Sequence, residues 1–151
     1  MILLLGIGNS IMGDDAAGIQ VVRMVKGKVR PRPDLEFKEV SVGGLRLVEE
    51  MLGYDTVFIV DTLAATAADV GRIREFSPDD FNETQHTAAP HVTNFATALE
   101  LYKKLEPDMV PGVIRIFTID VEQDLTFREG MSPTVQKAVA KLTDMLVNKM
   151  M

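Results

Sequence analysis

The sequence predicts an α/β protein built around a parallel or mostly parallel sheet that is covered on both faces. Strand-like and helix-like segments alternate from one end of the chain to the other, which is typical of this class. The expected central strands are largely apolar runs, as strands buried on both faces require. Three such runs cover Ile2 to Leu5, Thr56 to Val60 and Val113 to Ile119.

The first half of the chain adds two helices and one strand to these runs. Asp14 and Asp15 open a helical pattern that ends at the segment 26–28. The segment from Leu35 to Val40 alternates apolar and polar residues, as a strand does. Gly43-Gly44 then leads into a short helix that precedes the strand at Thr56.

The second half adds an edge strand and two further helices. The Ala- and Thr-rich segment from Leu63 to Asp69 is predicted to be a loop, and Arg72 to Phe76 a short edge strand. A helix covers Phe95 to Leu105. The segment from Asp120 to Met131 is predicted to be a long loop, and Ser132-Pro133 begins the last helix, with proline at its first position. The apolar stripes of the helices predict core positions that include Leu45, Leu105 and Met145.

Length and charge limit the possible functions. A chain of 151 residues fits a single domain, 1–151, that can bury a core. The formal net charge of -6 argues against nucleic-acid binding, which needs a basic surface. No apolar run approaches the ~20 residues of a membrane span, and the N-terminal run lacks the features of a signal peptide. We therefore expect a cytoplasmic protein without membrane contact, and a monomer.

The absence of cysteine limits the chemistry further. It excludes disulfides, thiolate nucleophiles, iron–sulfur clusters and any zinc site built on sulfur. Because His86 and His91 are the only histidines, one chain cannot form a three-histidine zinc site. The sequence also lacks the serine-hydrolase elbow, the zincin helix motif and the P-loop.

The segment from Gly6 to Asp15 occupies the place of a dinucleotide fingerprint, between the first strand and the first helix. Its third glycine position is Ile11, and two carboxylates at the helix start would repel a pyrophosphate. Nucleotide binding is therefore disfavoured. Asp14 and Asp15 have two interpretations. In the first, one caps the helix and the charge of the other interacts favourably with the helix dipole. In the second, one caps the helix and the other points into a cleft.

Asp61 and His91 are the other candidates. Asp61 follows a buried strand, and ligands of open α/β sheets bind beyond the carboxyl ends of the strands. Asp15 and Asp61 would then face each other across the crevice, although an Asp that only braces its loop is an equal alternative. His91 precedes a helix, and His86 competes with it. One histidine with two carboxylates is a plausible set of ligands for a divalent metal.

Several of these segments together resemble the hydrogenase maturation endopeptidases. The opening motif carries the resemblance, with Leu5 to Asn9 followed by Gly13 to Gly18, and so do Val60-Asp61 and Pro90-His91. The resemblance extends over nearly the whole chain. Within the family, Pro90 to Ala96 looks most like members that serve the deazaflavin-reducing hydrogenases of methanogenic archaea.

The resemblance implies a three-layer α/β/α fold with a five-stranded sheet. It also implies three nickel-contacting residues, which carry over to Asp15, Asp61 and His91, with Asp15 and Asp61 as the catalytic carboxylates. The nickel would arrive in the substrate, the precursor of a nickel–iron hydrogenase large subunit, and no organic cofactor is expected. Many members have Glu in place of Asp15, so the carboxylate of this chain is one methylene shorter.

Two other functions remain open at this point. The chain could be a nickel-sensing chaperone that docks on the large subunit without cutting it, or a small-molecule hydrolase with its own metal. The way in which a peptide bond would be broken is also open. In one option the metal polarises the scissile carbonyl or supplies a bound water as the nucleophile. In the other, Asp15 or Asp61 acts as a general base on water.

Overall fold

Five strands form one sheet in the computed structural model, which describes residues 1–8, 13–41, 43–81, 95–122 and 131–151. The strands are β1 (Ile2–Ile7), β2 (Leu35–Val40), β3 (Thr56–Ala64), β4 (Ile73–Phe76) and β5 (Val113–Val121). Their order across the sheet is β2-β1-β3-β5-β4. All neighbours are parallel except β4, which runs antiparallel to β5 at the edge.

In the described ranges, four helices cover the sheet. They are α1 (Ala17–Lys28), α2 (Gly44–Met51), α3 (Phe95–Leu105) and α4 (Pro133–Met150). The same ranges contain short 3-10 turns at Gly13–Ala16, Pro78–Phe81 and Pro107–Met109. None of the helices in the described ranges combines the length and the apolar character that crossing a bilayer requires.

The side chains of the central strands divide between two cores. In β3, Phe58 and Val60 pack on the side of α1 and α4, whereas Val57 and Ile59 pack on the side of α2 and α3. This division follows from the alternation of side chains along a strand. Helices therefore bury their apolar stripes on both faces of the sheet, and the predicted three-layer α/β/α fold with five mostly parallel strands is confirmed.

The predicted starts of two loops are wrong. β3 continues through Ala64 and β5 through Val121, so Leu63 and Asp120 are strand residues. The two strands lengthen together because Leu63 pairs with Asp120 and Ala64 with Val121. Polar residues do not end these strands, because their side chains leave the backbone free to pair. The residues 123–130 of the second predicted loop lie outside the described part of the chain.

Three predicted core positions are also wrong. Leu45 is 44% exposed, Leu105 65% and Met145 37%. Leu45 lies in the first turn of α2 and Leu105 is the last residue of α3, so both stand at helix ends beyond the sheet. Met145 lies at the edge of the apolar stripe of α4, and the next residue, Leu146, is fully buried.

A glycine sets the distance between α1 and the sheet. A Cβ atom at Gly18 would lie 2.6 Å from the carbonyl oxygen of Ile7 and 2.6 Å from that of Val60. Facing it, a Cβ atom at Gly6 would lie 2.7 Å from the carbonyl oxygen of Gly18. The start of α1 therefore rests directly on the backbone of β1 and β3, which places the preceding turn over the carboxyl ends of these strands.

Candidate active site

Thr62 joins the two carboxylates that the sequence predicts to face each other. Its hydroxyl donates a hydrogen bond to Oδ1 of Asp15 over 3.2 Å, and its backbone N–H donates one to Oδ1 of Asp61 over 2.7 Å. Asp15 lies on the 3-10 turn before α1, and Asp61 lies within β3. The structure therefore brings both acids to one residue at the carboxyl end of the central strands.

The two carboxylates differ in their exposure. Asp61 is fully buried, and Thr62 is 6% exposed, whereas Asp15 is only partly buried. The bond from Thr62 to Asp61 is a local one, of the kind that the bracing interpretation of Asp61 also expects. Of the two acids, Asp15 is the one that a molecule in solution can reach in this conformation.

Asp14 has a different role from its neighbour. Its carboxylate accepts a hydrogen bond from the backbone N–H of Ser132 over 2.7 Å and another from the Ser132 hydroxyl over 3.1 Å. Ser132 is the N-cap residue of α4, and the N-cap position of α1 is Ala16, which has no capping group. Instead of capping α1, Asp14 ties the turn that carries Asp15 to the start of α4.

Polar side chains continue from Asp61 across the sheet toward its edge. Asp61 pairs in register with Thr118 of β5, which pairs in turn with Arg74 of β4. Residues paired in register share a face of the sheet, and here it is the face covered by α2 and α3. Thr118 and Asp120 are fully buried. The site thus includes a polar row, defined as Asp61, Thr118 and Arg74, with Asp120 one step beyond it.

Arg74 and Asp120 form a two-pronged ion pair. Nε of Arg74 donates to Oδ1 and Oδ2 of Asp120 over 3.1 Å each, and Nη2 donates to Oδ2 over 2.8 Å. The hydrogen bonds to Asp120 raise the pKa of the Arg74 guanidinium. Because Arg74 is 31% exposed while Asp120 is fully buried, the guanidinium covers a carboxylate that would be costly to bury alone.

The histidine of the predicted metal set cannot be placed. His91 and its competitor His86 both lie outside the described residues. Among the residues that are described, no group of three acidic, histidine or cysteine side chains is arranged to hold a metal ion. The set of Asp15, Asp61 and His91 therefore stays a prediction, of which the structure describes the two carboxylates.

Sequence reasoning missed Thr62, Thr118 and the Arg74–Asp120 pair. A threonine inside a strand is ordinary for its β-branched shape, so the pattern carries no functional signal. Asp120 was assigned to a loop, and its partner Arg74 is 46 residues away along the chain. The pairing of β4 with β5 would have been needed to connect them.

A separate cleft lies at the other end of the sheet. It has a volume of about 300 Å³ and lies near the start of β5, where Val113, Leu99, Lys103 and Asp79 line it. The acids Asp15 and Asp61 lie at the opposite end of the strands. The cleft is therefore separate from the candidate site at the carboxyl ends of the strands, where Thr62 bonds to both acids.

Comparison with known proteins points to one family. The family model described as hydrogenase maturation protease matches residues 19–149. The matched range contains Asp61 and His91 but begins after Asp15. No curated protein matches this chain.

Solved structures share the fold. The chain resembles the hydrogenase maturating endopeptidase HybD from E. coli with a TM-score of 0.74 and 21% identity, over 96% of this chain and 88% of that one. The [NiFe] hydrogenase maturation protease HybD from Thermococcus kodakarensis gives the same TM-score and identity, over 96% and 95%. HycI from the same organism gives a TM-score of 0.73 at 19% identity, over 97% and 90%.

Proposed function

The chain belongs to the hydrogenase maturation protease family, and we propose that it removes a C-terminal extension from the precursor of a nickel–iron hydrogenase large subunit. Family membership makes it a peptidase of hydrogenase maturation. The nature of the precursor, the cut at its C-terminus and the use of nickel in recognition are the parts that we propose. The proposal also places the reaction in the cytoplasm, with a monomer as the acting species.

The observation that carries the proposal is the Thr62 bridge between Asp15 and Asp61. Two carboxylates from distant parts of the sequence accept hydrogen bonds from one residue, at the end of the sheet where open α/β sheets bind their ligands. Carboxylate oxygens, together with an imidazole, are suitable ligands for a divalent nickel ion. We propose that Asp15, Asp61 and His91 contact a nickel ion that the substrate itself carries, held by cysteines of the large subunit.

Recognition through the substrate's nickel would make cleavage a checkpoint. A precursor without nickel lacks the charge that the two carboxylates attract, so it gains little from this part of the interface. Because Asp61 is fully buried, its contact with the substrate requires the covering side chains to move when the precursor binds. Asp15 needs no such movement, and we propose that it meets the substrate first.

Hydrolysis itself needs a base. We propose that Asp15 takes a proton from the attacking water as the water oxygen bonds to the carbonyl carbon of the scissile peptide. The tetrahedral intermediate then collapses, and the same proton passes to the departing amine. A covalent route through cysteine is excluded because the chain has none.

The proposal is tested with two forms of one precursor. The purified chain is incubated with nickel-loaded and with nickel-free large-subunit precursor, and the masses of both products are measured by mass spectrometry. We expect the loaded form alone to lose a C-terminal peptide. Cleavage of both forms would refute recognition through nickel, and cleavage of neither would refute the peptidase assignment for this substrate.

The same experiment separates the two alternatives. A non-cleaving chaperone would bind the loaded precursor, as a co-eluting complex, and leave its mass unchanged. A small-molecule hydrolase would carry its own metal, which elemental measurement of the purified chain would detect. Sedimentation of the chain alone would test the expected monomer.

A further inference from the structure

Thr118 carries a buried hydroxyl group that makes no hydrogen bond to any residue that the structure describes. The residue is fully buried in β5, and its Oγ1 atom has no hydrogen-bond partner in the part of the chain that the structure describes. Most buried polar side chains have a partner, so an exception requires an explanation. Burying a hydroxyl without a partner costs the free energy of its desolvation.

Packing does not explain the hydroxyl group. The residues before Thr118 on the same face of β5 are Ile114 and Ile116, and both belong to the apolar core under α2 and α3. Valine has the same branched shape as threonine and an equally high preference for strands. A valine at this position would fill the same space without a group to desolvate.

The position of Thr118 suggests what the hydroxyl group binds. It is the register partner of Asp61, on the adjacent parallel strand and on the same face of the sheet. Neighbouring strands lie about 4.8 Å apart, so a rotation of the Thr118 side chain can bring its oxygen within hydrogen-bond distance of the Asp61 carboxylate. A carboxylate has two oxygens that together accept several hydrogen bonds, and Thr62 donates one of them to Oδ1 of Asp61.

We propose that Thr118 is a positioning residue, whose hydroxyl donates a hydrogen bond to the Asp61 carboxylate when the substrate is engaged. The cost of the unpartnered hydroxyl in the resting protein is then offset in the working state. The bond, together with the one from Thr62, fixes the direction in which Asp61 presents its oxygens. The catalytic part of this inference rests on the proposed peptidase function.

The test compares Thr118→Val with Thr118→Ser. The valine variant keeps the branched shape and removes the hydroxyl. The serine variant keeps the hydroxyl and removes the methyl group. We expect Thr118→Val to raise the Tm by about 2–4 °C, because a buried group without a partner is removed. We expect the same variant to lower kcat for the nickel-loaded precursor about 10–100-fold with little change in KM, since the lost bond is to a charged group.

Thr118→Ser is expected to show the opposite pattern, with a lower Tm and a kcat close to that of the wild type. The matched control is Thr143→Val, which removes another fully buried threonine hydroxyl, in α4, whose acceptor is the sulfur of Met24. This variant should leave kcat unchanged. If Thr118 had a purely structural role, Thr118→Val would not raise the Tm and lower kcat at the same time.

Two results would overturn the inference alone. The first is a Thr118→Val enzyme that cleaves at the wild-type rate while the wild type is active. The second is a lower Tm for Thr118→Val, which would mean that the hydroxyl already has a partner in the resting protein. Failure of the wild type to cleave the nickel-loaded precursor would overturn the proposed function, and the inference with it.

Discussion

Replacing Gly18 by alanine should destabilise the protein, although alanine is the better helix former. A methyl group at this position would lie 2.6 Å from two carbonyl oxygens, those of Ile7 and Val60. Both oxygens belong to the backbone of the central sheet and cannot turn aside as a flexible side chain could. The start of α1 must therefore move away from the sheet.

The expected loss combines two opposing terms. Alanine gains about 1 kcal/mol over glycine in a helix. Overpacking of a close contact costs about 1–3 kcal/mol, and two rigid neighbours place Gly18 at the upper end of that range. The net change in the free energy of unfolding is then a loss of about 2 kcal/mol, which lowers the Tm by about 4–8 °C in a chain of this size.

Gly27 provides the matched control in the same helix. Apart from its chain neighbours and its own helix backbone, no atom of the described residues lies within 4 Å of the Cβ that Gly27→Ala would add, so this variant should be about 0.5–1 kcal/mol more stable. Urea unfolding of both variants, followed by circular dichroism, measures the difference. We also expect Gly18→Ala to cleave more slowly, because moving α1 separates Asp15 from Thr62. Equal stabilities for the two variants would refute the close-approach argument.

Three further predictions concern single side chains. Asp61→Asn should lower the cleavage rate about 10²–10⁴-fold while the fold stays intact. The control Asp79→Asn, at the opposite end of the sheet, should leave the cleavage rate unchanged. Near-normal cleavage by the Asp61 variant would support the interpretation that Asp61 only braces its loop. Arg74→Met leaves the buried carboxylate of Asp120 without a counter-charge and should lower the free energy of unfolding, measured in urea, by about 1–3 kcal/mol. The control Arg23→Met breaks an exposed ion pair and should lower it by less than about 1 kcal/mol. Burial and a hydrogen bond to a glutamate raise the pKa of Tyr54 to about 12. Because this folded-state pKa lies above the ordinary value of 10, Tyr54 should lower the stability as the pH rises from 10 to about 12. Tyr54→Phe should make the fall smaller in unfolding experiments across this range.

The sequence predicts the fold well because its periodic signals are strong. The apolar runs of β1, β3 and β5 and the start of α4 at Ser132-Pro133 lie where the pattern places them, although the Ser132 side chain makes no capping hydrogen bond. Strand ends were less predictable. Asp61 was expected to follow its strand, yet β3 continues through Ala64 because β5 lengthens beside it. A polar residue indicates a loop only when its backbone lacks a partner, and that depends on a distant segment.

The candidate site was only partly predictable for the same reason. Asp15 and Asp61 could be proposed because the carboxyl ends of parallel strands meet at one edge of a sheet. The separate roles of Asp14 and Asp15 could not, since Asp14 bonds to Ser132, which is 118 residues away along the chain. Thr62 was not predicted either, because its hydrogen bond to Asp15 exists only after β3 has docked beneath the turn before α1.

The bond between Asp14 and Ser132 also has a consequence for the order in which the protein is made. A ribosome synthesises α1 long before α4, and folding proceeds from the N-terminal side as the chain emerges. Until α4 emerges, the apolar stripe of α1 lacks its main neighbour and Asp14 lacks Ser132. The turn that carries Asp15 therefore reaches its final position only after α4 has emerged and docked. Before that point, the candidate site of a nascent chain is incomplete.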